Sequence, residues 1–213
     1  MLFNIGEANS IANQFLIELR DKSVQQDRLR FRRNLERLGE IMAYEISKKL
    51  NYEQRNVETS LAKLSIGTPN RPVLITILRA GLPYFIGFQN FFDHSDCGFI
   101  GAYRKEGEGQ ITINLEYRAS PSLEGKTIIL IDPMLATGKS LIRSINELLR
   151  NGRPEHIHIA SLIAAPEGIT FVQKELTNNY SLWTFAVDEK LNEQSYIVPG
   201  LGDAGDLSFG EKM

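Results

Sequence analysis

Cysteine and histidine are scarce in this 213-residue sequence, which contains one Cys and three His. The single cysteine, Cys97, cannot form an intramolecular disulfide, so the sequence suits a reducing compartment and we expect a cytoplasmic location. His156 and His158 are spaced to share one face of a strand, but no cysteine or further histidine lies near them in sequence. Because a structural zinc ion needs several such ligands, we expect no metal cluster of this kind.

Long apolar runs and a strong net charge are also absent. No run approaches the roughly 20 apolar residues that a membrane-spanning helix needs. The first twenty residues lack the basic start and apolar core of a signal peptide. The net charge of -2 and the pI of about 6.0 do not suit a protein that coats nucleic acid. We therefore expect neither a membrane nor a nucleic acid as partner, and the length fits one domain spanning residues 1–213.

Hydrophobic periodicity predicts an α/β protein. Apolar residues recur at three- and four-residue steps from Phe31 to Leu50, which indicates an amphipathic helix within a helical N-terminal region at about residues 10–50. Apolar runs at residues 72–78 and 126–132 are typical of buried parallel strands. The alternation of strands and helices continues through residues 139–152, 156–165, 167–176 and 180–187. This pattern predicts a central, mostly parallel sheet flanked by helices.

Two segments depart from this alternation. After a glycine-containing turn, residues 110–118 alternate between apolar and polar side chains, which predicts a β-hairpin at about residues 104–118. Such an insertion is a candidate lid over an active site. The segment from about residue 188 to 210 is glycine-rich and irregular, and segments of this length without regular structure are usually functional or disordered.

The segment "DPMLATGKS", residues 132–140, joins a predicted strand to a predicted helix. Its end resembles the phosphate loop of an ATPase, but the P-loop pattern requires a glycine where this sequence has Pro133. The first amides of a helix still favour an anion, and the hydroxyls of Thr137 and Ser140 add donors. Asp132 would suit neighbouring hydroxyls or a metal, so the layout is that of a sugar phosphate site. The alternative is that Thr137 only caps the helix.

The predicted strand at 126–132, its last residue Asp132 and the segment "ATGKS" together resemble the ribose-phosphate loop of the type I phosphoribosyltransferases. That loop usually has a second acid and a third one where this sequence has Pro133 and Ala136. With these differences, "DPMLATG" resembles the uracil phosphoribosyltransferase branch. Further segments that resemble this branch are "RFRRNLERLGEIMAYE" (30–45), "ILRAGL" (77–82), "YRKE" (103–106), "AAPEGI" (164–169) and "NEQSYIVPGLGDAGDLSFG" (192–210).

The resemblance implies a phosphoribosyltransferase type I fold with a hairpin hood, and an enzyme of pyrimidine salvage. This enzyme would transfer ribose 5-phosphate from phosphoribosyl pyrophosphate (PRPP) to uracil, giving UMP and diphosphate, with Mg²⁺ as cofactor. It would be a homodimer or homotetramer, and GTP is a candidate effector because some family members respond to it. The hairpin would shield the reacting centre from water.

The resemblance also implies roles for individual residues. Arg79, Arg104 and Asp203 would be catalytic, and the two arginines would grip the diphosphate through bidentate bonds. The implied PRPP site consists of Arg79, Arg104, Asp132, Pro133, Met134, Leu135, Ala136, Thr137, Gly138, Lys139, Ser140 and Asp203. The implied uracil site is formed by Ile197, Gly202, Asp203 and Ala204, with Asp203 also a candidate ligand of Mg²⁺.

Other interpretations remain open at this point. The arginine-rich stretch "RLRFRR", residues 28–33, favours a solvated helix face, but it could also be an anion or effector site or a subunit contact. It is the only support for a nucleotide- and RNA-binding regulator of the same fold. A P-loop ATPase is opposed by Pro133, and a transferase for another base is opposed by the C-terminal motif. Arg79 could be a surface or capping residue, and Asp203 could simply form a turn.

Overall fold

The computed structural model describes residues 1–107 and 110–211, and it describes the side chains of all of these except 102–116. The α-helices in the described residues are α1 (Ala12–Arg20), α2 (Arg28–Ser47), α3 (Gly81–Gln89), α4 (Lys139–Leu148), α5 (Pro166–Glu175) and α6 (Ala204–Phe209). The strands are β1 (Leu2–Asn4), β2 (Tyr52–Glu58), β3 (Lys63–Pro69), β4 (Val73–Leu78), β5 (Cys97–Gly107), β6 (Gln110–Ala119), β7 (Thr127–Ile131), β8 (Met134–Leu135), β9 (His156–Ala160), β10 (Ile163–Ala164), β11 (Tyr180–Thr184), β12 (Ala186–Val187), β13 (Lys190–Leu191) and β14 (Ile197–Val198).

A central sheet organises the molecule. Within the described part of the chain it has seven strands in the order β1-β11-β9-β7-β4-β5-β6. Neighbouring strands are parallel except for the antiparallel pair of β5 and β6. Strands β4, β7 and β9 are buried almost throughout. Their near-continuous apolar sequences fit this position, because helices cover both faces of a parallel sheet. The predicted fold class is confirmed.

Two apolar clusters lie against this sheet. One includes the buried face of α2 and the side chains of α3, and the other includes the apolar faces of α4 and α5. Helices α2 and α3 approach closely: a Cβ added to Gly39 would lie 2.2 Å from the carbonyl oxygen of Tyr84. The predicted amphipathic helix is confirmed, although it ends at Ser47 rather than near Leu50. Within the described ranges, no helix combines the length and the apolar character needed to cross a membrane.

The predicted β-hairpin is present. Strands β5 and β6 pair antiparallel at the edge of the central sheet, with a register shift between Gly101 and Ala102. The hairpin predicted at 104–118 is the outer part of this pair, because β5 begins at Cys97 as an ordinary sheet strand, as the run "GFIGAYR" at 98–104 predicts. The tip at residues 108–109 and the side chain of Arg104 lie outside what the structure describes.

Other parts of the chain differ from the sequence-based expectation. A second hairpin, β2 with β3, was not predicted, and every residue of β2 is exposed. Helix α3 ends at Gln89, although the apolar pattern after the strand at 72–78 predicts a helix that continues through Phe92. The segment from residue 188 to 210 is not wholly irregular, because β13 pairs with β14 and α6 follows. The two-residue strands β13 and β14 and the six-residue helix α6 are too short to produce a recognisable hydrophobic period.

Candidate active site

An open cleft lies at the carboxyl ends of β4 and β7, the place where parallel α/β sheets bind ligands. Three segments converge on it: the end of β4, the loop from β7 to α4, and the C-terminal segment before and within α6. The lining residues are Ile77, Leu78, Arg79, Ala80, Asp132, Met134, Leu135, Ala136, Thr137, Gly138, Ser140, Leu141, Ser195, Tyr196, Ile197, Gly202, Asp203, Ala204 and Gly205.

Most of the sequence-predicted site residues meet in this cleft. All four residues of the implied uracil site line the cleft, and so do Arg79 and most residues of the loop at 132–140. Pro133 and Lys139 are not among the lining residues. For Arg104, only the backbone is described, so the predicted role of its side chain stays a prediction. Sequence reasoning missed Ser195 and Tyr196, although they directly precede Ile197 in the motif that carried the resemblance.

The loop between β7 and α4 has the geometry of an anion cradle. Helix α4 begins at Lys139, as predicted, and its N-cap residue Gly138 has a φ of 75°, a conformation that favours glycine. Gly138 has no side chain that could cap the helix, but Thr137 Oγ1 accepts one long hydrogen bond from the Lys139 amide, at 3.4 Å. Thr137 therefore helps to cap the helix, as the alternative holds, and its hydroxyl can still donate to an anion. The next amides of α4, those of Ser140 and Leu141, form no backbone hydrogen bond with the described residues and remain available to an anion, which the helix dipole favours.

The loop is supported from behind by α5 and β10. The carbonyl oxygen of Pro133 accepts hydrogen bonds from the amides of Leu162 and Ile163, at 2.9 and 3.2 Å. This explains why Pro133 is buried away from the cleft. On the other side, Gly168 of α5 packs so tightly that an added Cβ would lie 2.2 Å from the carbonyl oxygen of Ala136. The glycine in the "AAPEGI" segment thus permits direct backbone contact between α5 and the loop.

Arg79 directly follows β4 and reaches across to the C-terminal segment. Its Nη2 donates to Asp206 Oδ1 at 3.0 Å and to the carbonyl oxygen of Gly210 at 3.2 Å. Its Nε is buried and has no hydrogen-bond partner among the described residues. The guanidinium is therefore anchored at one end beside the cleft, which is not the arrangement of a freely solvated surface arginine.

Asp203 both lines the cleft and caps α6. Its Oδ1 accepts hydrogen bonds from the amides of Gly205 and Asp206, at 2.8 and 3.0 Å. The preceding Gly202 has a φ of 91°, so the chain turns sharply into the helix at this point. Helix α6 also carries Asp206, the partner of Arg79. This short helix therefore links Asp203, which belongs to the predicted uracil site, to Arg79, which belongs to the predicted PRPP site.

The C-terminal segment is held against α5 by a hydrogen bond. Glu167 Oε1 accepts a hydrogen bond from the amide of Leu191 at 3.0 Å, and this bond is the largest cause that lowers the pKa of the Glu167 carboxyl. The pairing of β13 with β14 then places Ile197 at the cleft. A ring bound there would face backbone groups of Ile197 and Gly202, which could read its edge.

The arginine cluster at residues 28–33 forms contacts within the chain. Arg30 pairs with Glu18 at 2.8 Å and Arg33 pairs with Glu36. Arg32 donates to the carbonyl oxygen of Ser208 at 2.8 Å. These contacts favour the interpretation of a helix face over that of a nucleic-acid site.

The chain is similar along nearly its whole length to proteins of one family. A family model described as uracil phosphoribosyltransferase matches residues 8–211. A protein named uracil phosphoribosyltransferase from Porphyromonas gingivalis is 48% identical over 214 aligned positions, covering 100% of this chain and 99% of the relative. One of the same name from Thermococcus gammatolerans is 39% identical over 204 positions, covering 94% of this chain and 89% of the relative. The structure of the AQ2163 protein from Aquifex aeolicus matches with a TM-score of 0.88 at 30% identity, over 99% of this chain and 98% of that one. The chain therefore belongs to the uracil phosphoribosyltransferase family.

Proposed function

We propose that the protein transfers ribose 5-phosphate from PRPP to uracil, giving UMP and diphosphate. The observation that carries this is the convergence, in one cleft, of a helix-start phosphate loop, an anchored arginine and the backbone of residues 197–204. These three elements match the three parts of the reaction: the 5-phosphate, the diphosphate and the base. The names of the relatives support the same substrates.

The loop at 132–140 holds the ribose 5-phosphate in this proposal. The amides that begin α4 and the hydroxyls of Thr137 and Ser140 donate to the phosphate oxygens. Asp132, at the tip of β7, accepts from the ribose hydroxyls. Lys139 is exposed at the rim of the loop, where its charge adds attraction for the phosphate.

Arg79 binds the diphosphate, together with Arg104, whose role comes from the family resemblance. A guanidinium suits this task because its planar fork is permanently charged and matches phosphate oxygens. Uracil lies against Ile197 and the backbone of residues 202–204, where amides and carbonyls read its edge. Cytosine presents an amine in place of a carbonyl, which would leave buried groups unpaired and would lower its rate by a large factor.

The donor set of the cleft fits Mg²⁺ bound mainly through the substrate. The described residues contain no group of three or more His, Cys, Asp or Glu that could hold a metal by themselves. Mg²⁺ usually keeps several waters and binds through one or two carboxylates plus substrate phosphates, and Asp132 and Asp203 both line the cleft. When bound, the ion would neutralise charge on the diphosphate.

During transfer, the bond from the ribose C1′ to a diphosphate oxygen breaks, the uracil N1 bonds to C1′, and the N1 proton passes to the departing diphosphate or to water. Negative charge grows on the departing oxygens, where Arg79 stabilises it. The cleft-lining carboxylates in the described ranges, Asp132 and Asp203, are assigned to the ribose hydroxyls, to Mg²⁺ and to the cap of α6, so positioning and electrostatics carry most of the rate in this proposal. The β5–β6 hairpin is the proposed lid that excludes water from C1′.

The first test is to incubate the purified protein with PRPP, Mg²⁺ and labelled uracil and to measure UMP. We expect magnesium-dependent UMP, and a loss of at least about a hundredfold in Arg79→Ala and in Asp203→Asn, because each removes a charged contact to the reacting groups. Arg150→Ala is the matched control, since Arg150 is an exposed arginine that pairs with Glu147 on α4. Binding of PRPP or UMP without turnover would contradict the proposed enzymatic activity and would support the alternative of a nucleotide- and RNA-binding regulator.

The proposed enzyme is a homodimer or homotetramer, with GTP as a candidate effector, as the family resemblance implies. Self-association is supported by the β2–β3 hairpin, which exposes Leu64 and Ile66 at 43% and 51%. The effect of GTP is tested by adding it to the same assay. The cytoplasmic location stays a prediction.

A further inference from the structure

A buried ion pair lies behind the backbone that forms the proposed base pocket. Arg20, at the end of α1, pairs with Asp188, which follows β12. We propose that Arg20, together with Asp188 and Gln25, positions the backbone at residues 200–203 and thereby sets the affinity for the pyrimidine base, an inference that rests on the proposed function.

The pair is bidentate and enclosed. Arg20 Nη1 and Nη2 donate to the two carboxylate oxygens of Asp188, both at 2.8 Å. The two side chains are 21% and 5% exposed. Arg20 Nη1 also donates to the carbonyl oxygen of Gly200 at 3.0 Å, and Asp188 accepts from the amide of Gly200 at 2.9 Å. Both polar groups of one glycine are therefore held by one ion pair.

Gln25 holds the next residue. Its buried Nε2 lies 3.4 Å from the carbonyl oxygen of Leu201 and donates to the carbonyl oxygens of Leu19 and Arg20, at 3.1 and 3.3 Å. Leu201 itself is only 3% exposed. Consecutive residues, 200 and 201, are thus fixed from the same side by the end of α1 and the turn that follows it.

These contacts act on the cleft through the backbone. Gly200 has a φ of 61°, and an added Cβ would lie 2.1 Å from the carbonyl oxygen of Ile197. Gly200 therefore contacts Ile197, which lines the cleft. It also precedes a second lining residue, Gly202, by two positions. A base whose edge is read by backbone amides and carbonyls needs those groups held within about 0.5 Å.

Stability alone gives a weaker reason for this ion pair. The desolvation of two buried charges offsets much of their attraction, so buried pairs contribute little net stability compared with apolar residues of similar size. What the pair supplies here is a fixed direction for the Gly200 carbonyl and amide. Neither Arg20 nor Gln25 lines the cleft, so both are positioning residues rather than catalytic ones.

The test is Arg20→Lys, with the KM values for uracil and for PRPP measured separately. Lysine keeps the charge but is a point donor that cannot span both carboxylate oxygens and the Gly200 carbonyl. We expect the KM for uracil to rise about tenfold, a factor that one lost charged hydrogen bond can produce, with the KM for PRPP changed less than about twofold. Gln25→Met, which replaces the carboxamide by an apolar chain of similar size, should raise the uracil KM about threefold.

Arg30→Lys is the matched control. Arg30 makes a more exposed bidentate pair with Glu18, also at 2.8 Å, but it forms no hydrogen bond or ion pair with the C-terminal segment in the described structure. Its uracil KM should equal that of the wild type. Formation of UMP with an unchanged uracil KM in both Arg20→Lys and Gln25→Met, or with equal rises in both KM values, overturns this inference alone. Absence of UMP from the wild-type protein overturns the proposed function and this inference with it.

Discussion

At the scale of single residues, the cleft depends on polar contacts made between distant parts of the chain. Arg79 and Asp206 form a hydrogen bond of 3.0 Å although 127 positions separate them in sequence. Their side chains are 39% and 34% exposed, so the pair contributes little to stability. Its effect is expected on the geometry of the proposed diphosphate site.

Replacement of Asp206 by alanine should weaken PRPP binding. Without its carboxylate partner, the Arg79 guanidinium samples more orientations, and we expect the KM for PRPP to rise about three- to tenfold while the melting temperature stays nearly constant. Steady-state kinetics and thermal unfolding measure the two effects. A lower KM for PRPP would contradict this role and would indicate that Asp206 competes with diphosphate for Arg79.

His158 should make the fold sensitive to acid. It is 3% exposed and its Nδ1 accepts from Trp183 Nε1 at 3.1 Å. Burial, aided by the charge of nearby His156, lowers the pKa of His158 from 6.5 to about 3. The unfolded chain therefore takes up a proton below pH 6.5, whereas the folded chain resists it until about pH 3.

The stabilisation by neutral His158 is thus complete above pH 6.5 and is lost as the pH falls toward 3. Over this range, each fall of one pH unit lowers the free energy of unfolding by on the order of 1 kcal/mol. Urea unfolding between pH 7 and 4 measures the slope. His158→Gln should reduce it, whereas His94→Gln should not, because His94 is exposed. Equal slopes for His158→Gln and the wild type would refute the assignment.

At the scale of elements, the phosphate loop owes its position to the packing of α5. The would-be Cβ of Gly168 lies 2.2 Å from the carbonyl oxygen of Ala136 and 3.0 Å from that of Leu135. Only the absence of a side chain allows this approach. Any added atom must push either the helix or the loop away.

Replacement of Gly168 by alanine should therefore displace the loop. We expect a loss of about 1–3 kcal/mol in the free energy of unfolding, as for other overpacked sites. The KM for PRPP should rise about tenfold, because the phosphate-binding amides move with the loop. Gly67→Ala is the control, since its Cβ would meet only side-chain atoms at 3.5 Å or more. An unchanged KM for PRPP in Gly168→Ala would show that the loop is placed without α5.

At the scale of the whole molecule, the β2–β3 hairpin has no apolar face covered by the other described residues. All of β2 and most of β3 are exposed, including Leu64 and Ile66. An isolated two-stranded hairpin is at best marginally stable in water, so a second copy of the chain is its expected support.

We therefore expect the purified protein to sediment as a dimer or tetramer. The double variant Leu64→Glu, Ile66→Glu should shift the assembly toward monomers, because charged residues are disfavoured in the core of an interface. Analytical ultracentrifugation measures the distribution, with Lys63→Glu as an exposed control. A monomeric wild-type protein would contradict the proposed assembly, and an unchanged oligomer in the double variant would place the contact elsewhere.

The sequence by itself determined the features that depend on local patterns. Apolar runs predicted the buried strands, the three- and four-residue step predicted α2, and "DPMLATGKS" predicted a phosphate loop at the start of a helix. Motif resemblance then indicated the family and most residues of the cleft. These features are readable because strand burial, helix periodicity and anion binding at a helix start each act over a few neighbouring residues.

Only the tertiary structure decided the rest. The β2–β3 hairpin escaped prediction because neither of its faces is buried, and only Leu64 and Ile66 in β3 alternate with polar or small residues. The contact of Arg20 with Asp188 joins residues 168 positions apart, and nothing near either residue signals the other. The same holds for the approach of Gly168 to Ala136. Such contacts depend on how the sheet brings distant segments together. A local sequence pattern does not encode that geometry, because it depends only on neighbouring residues.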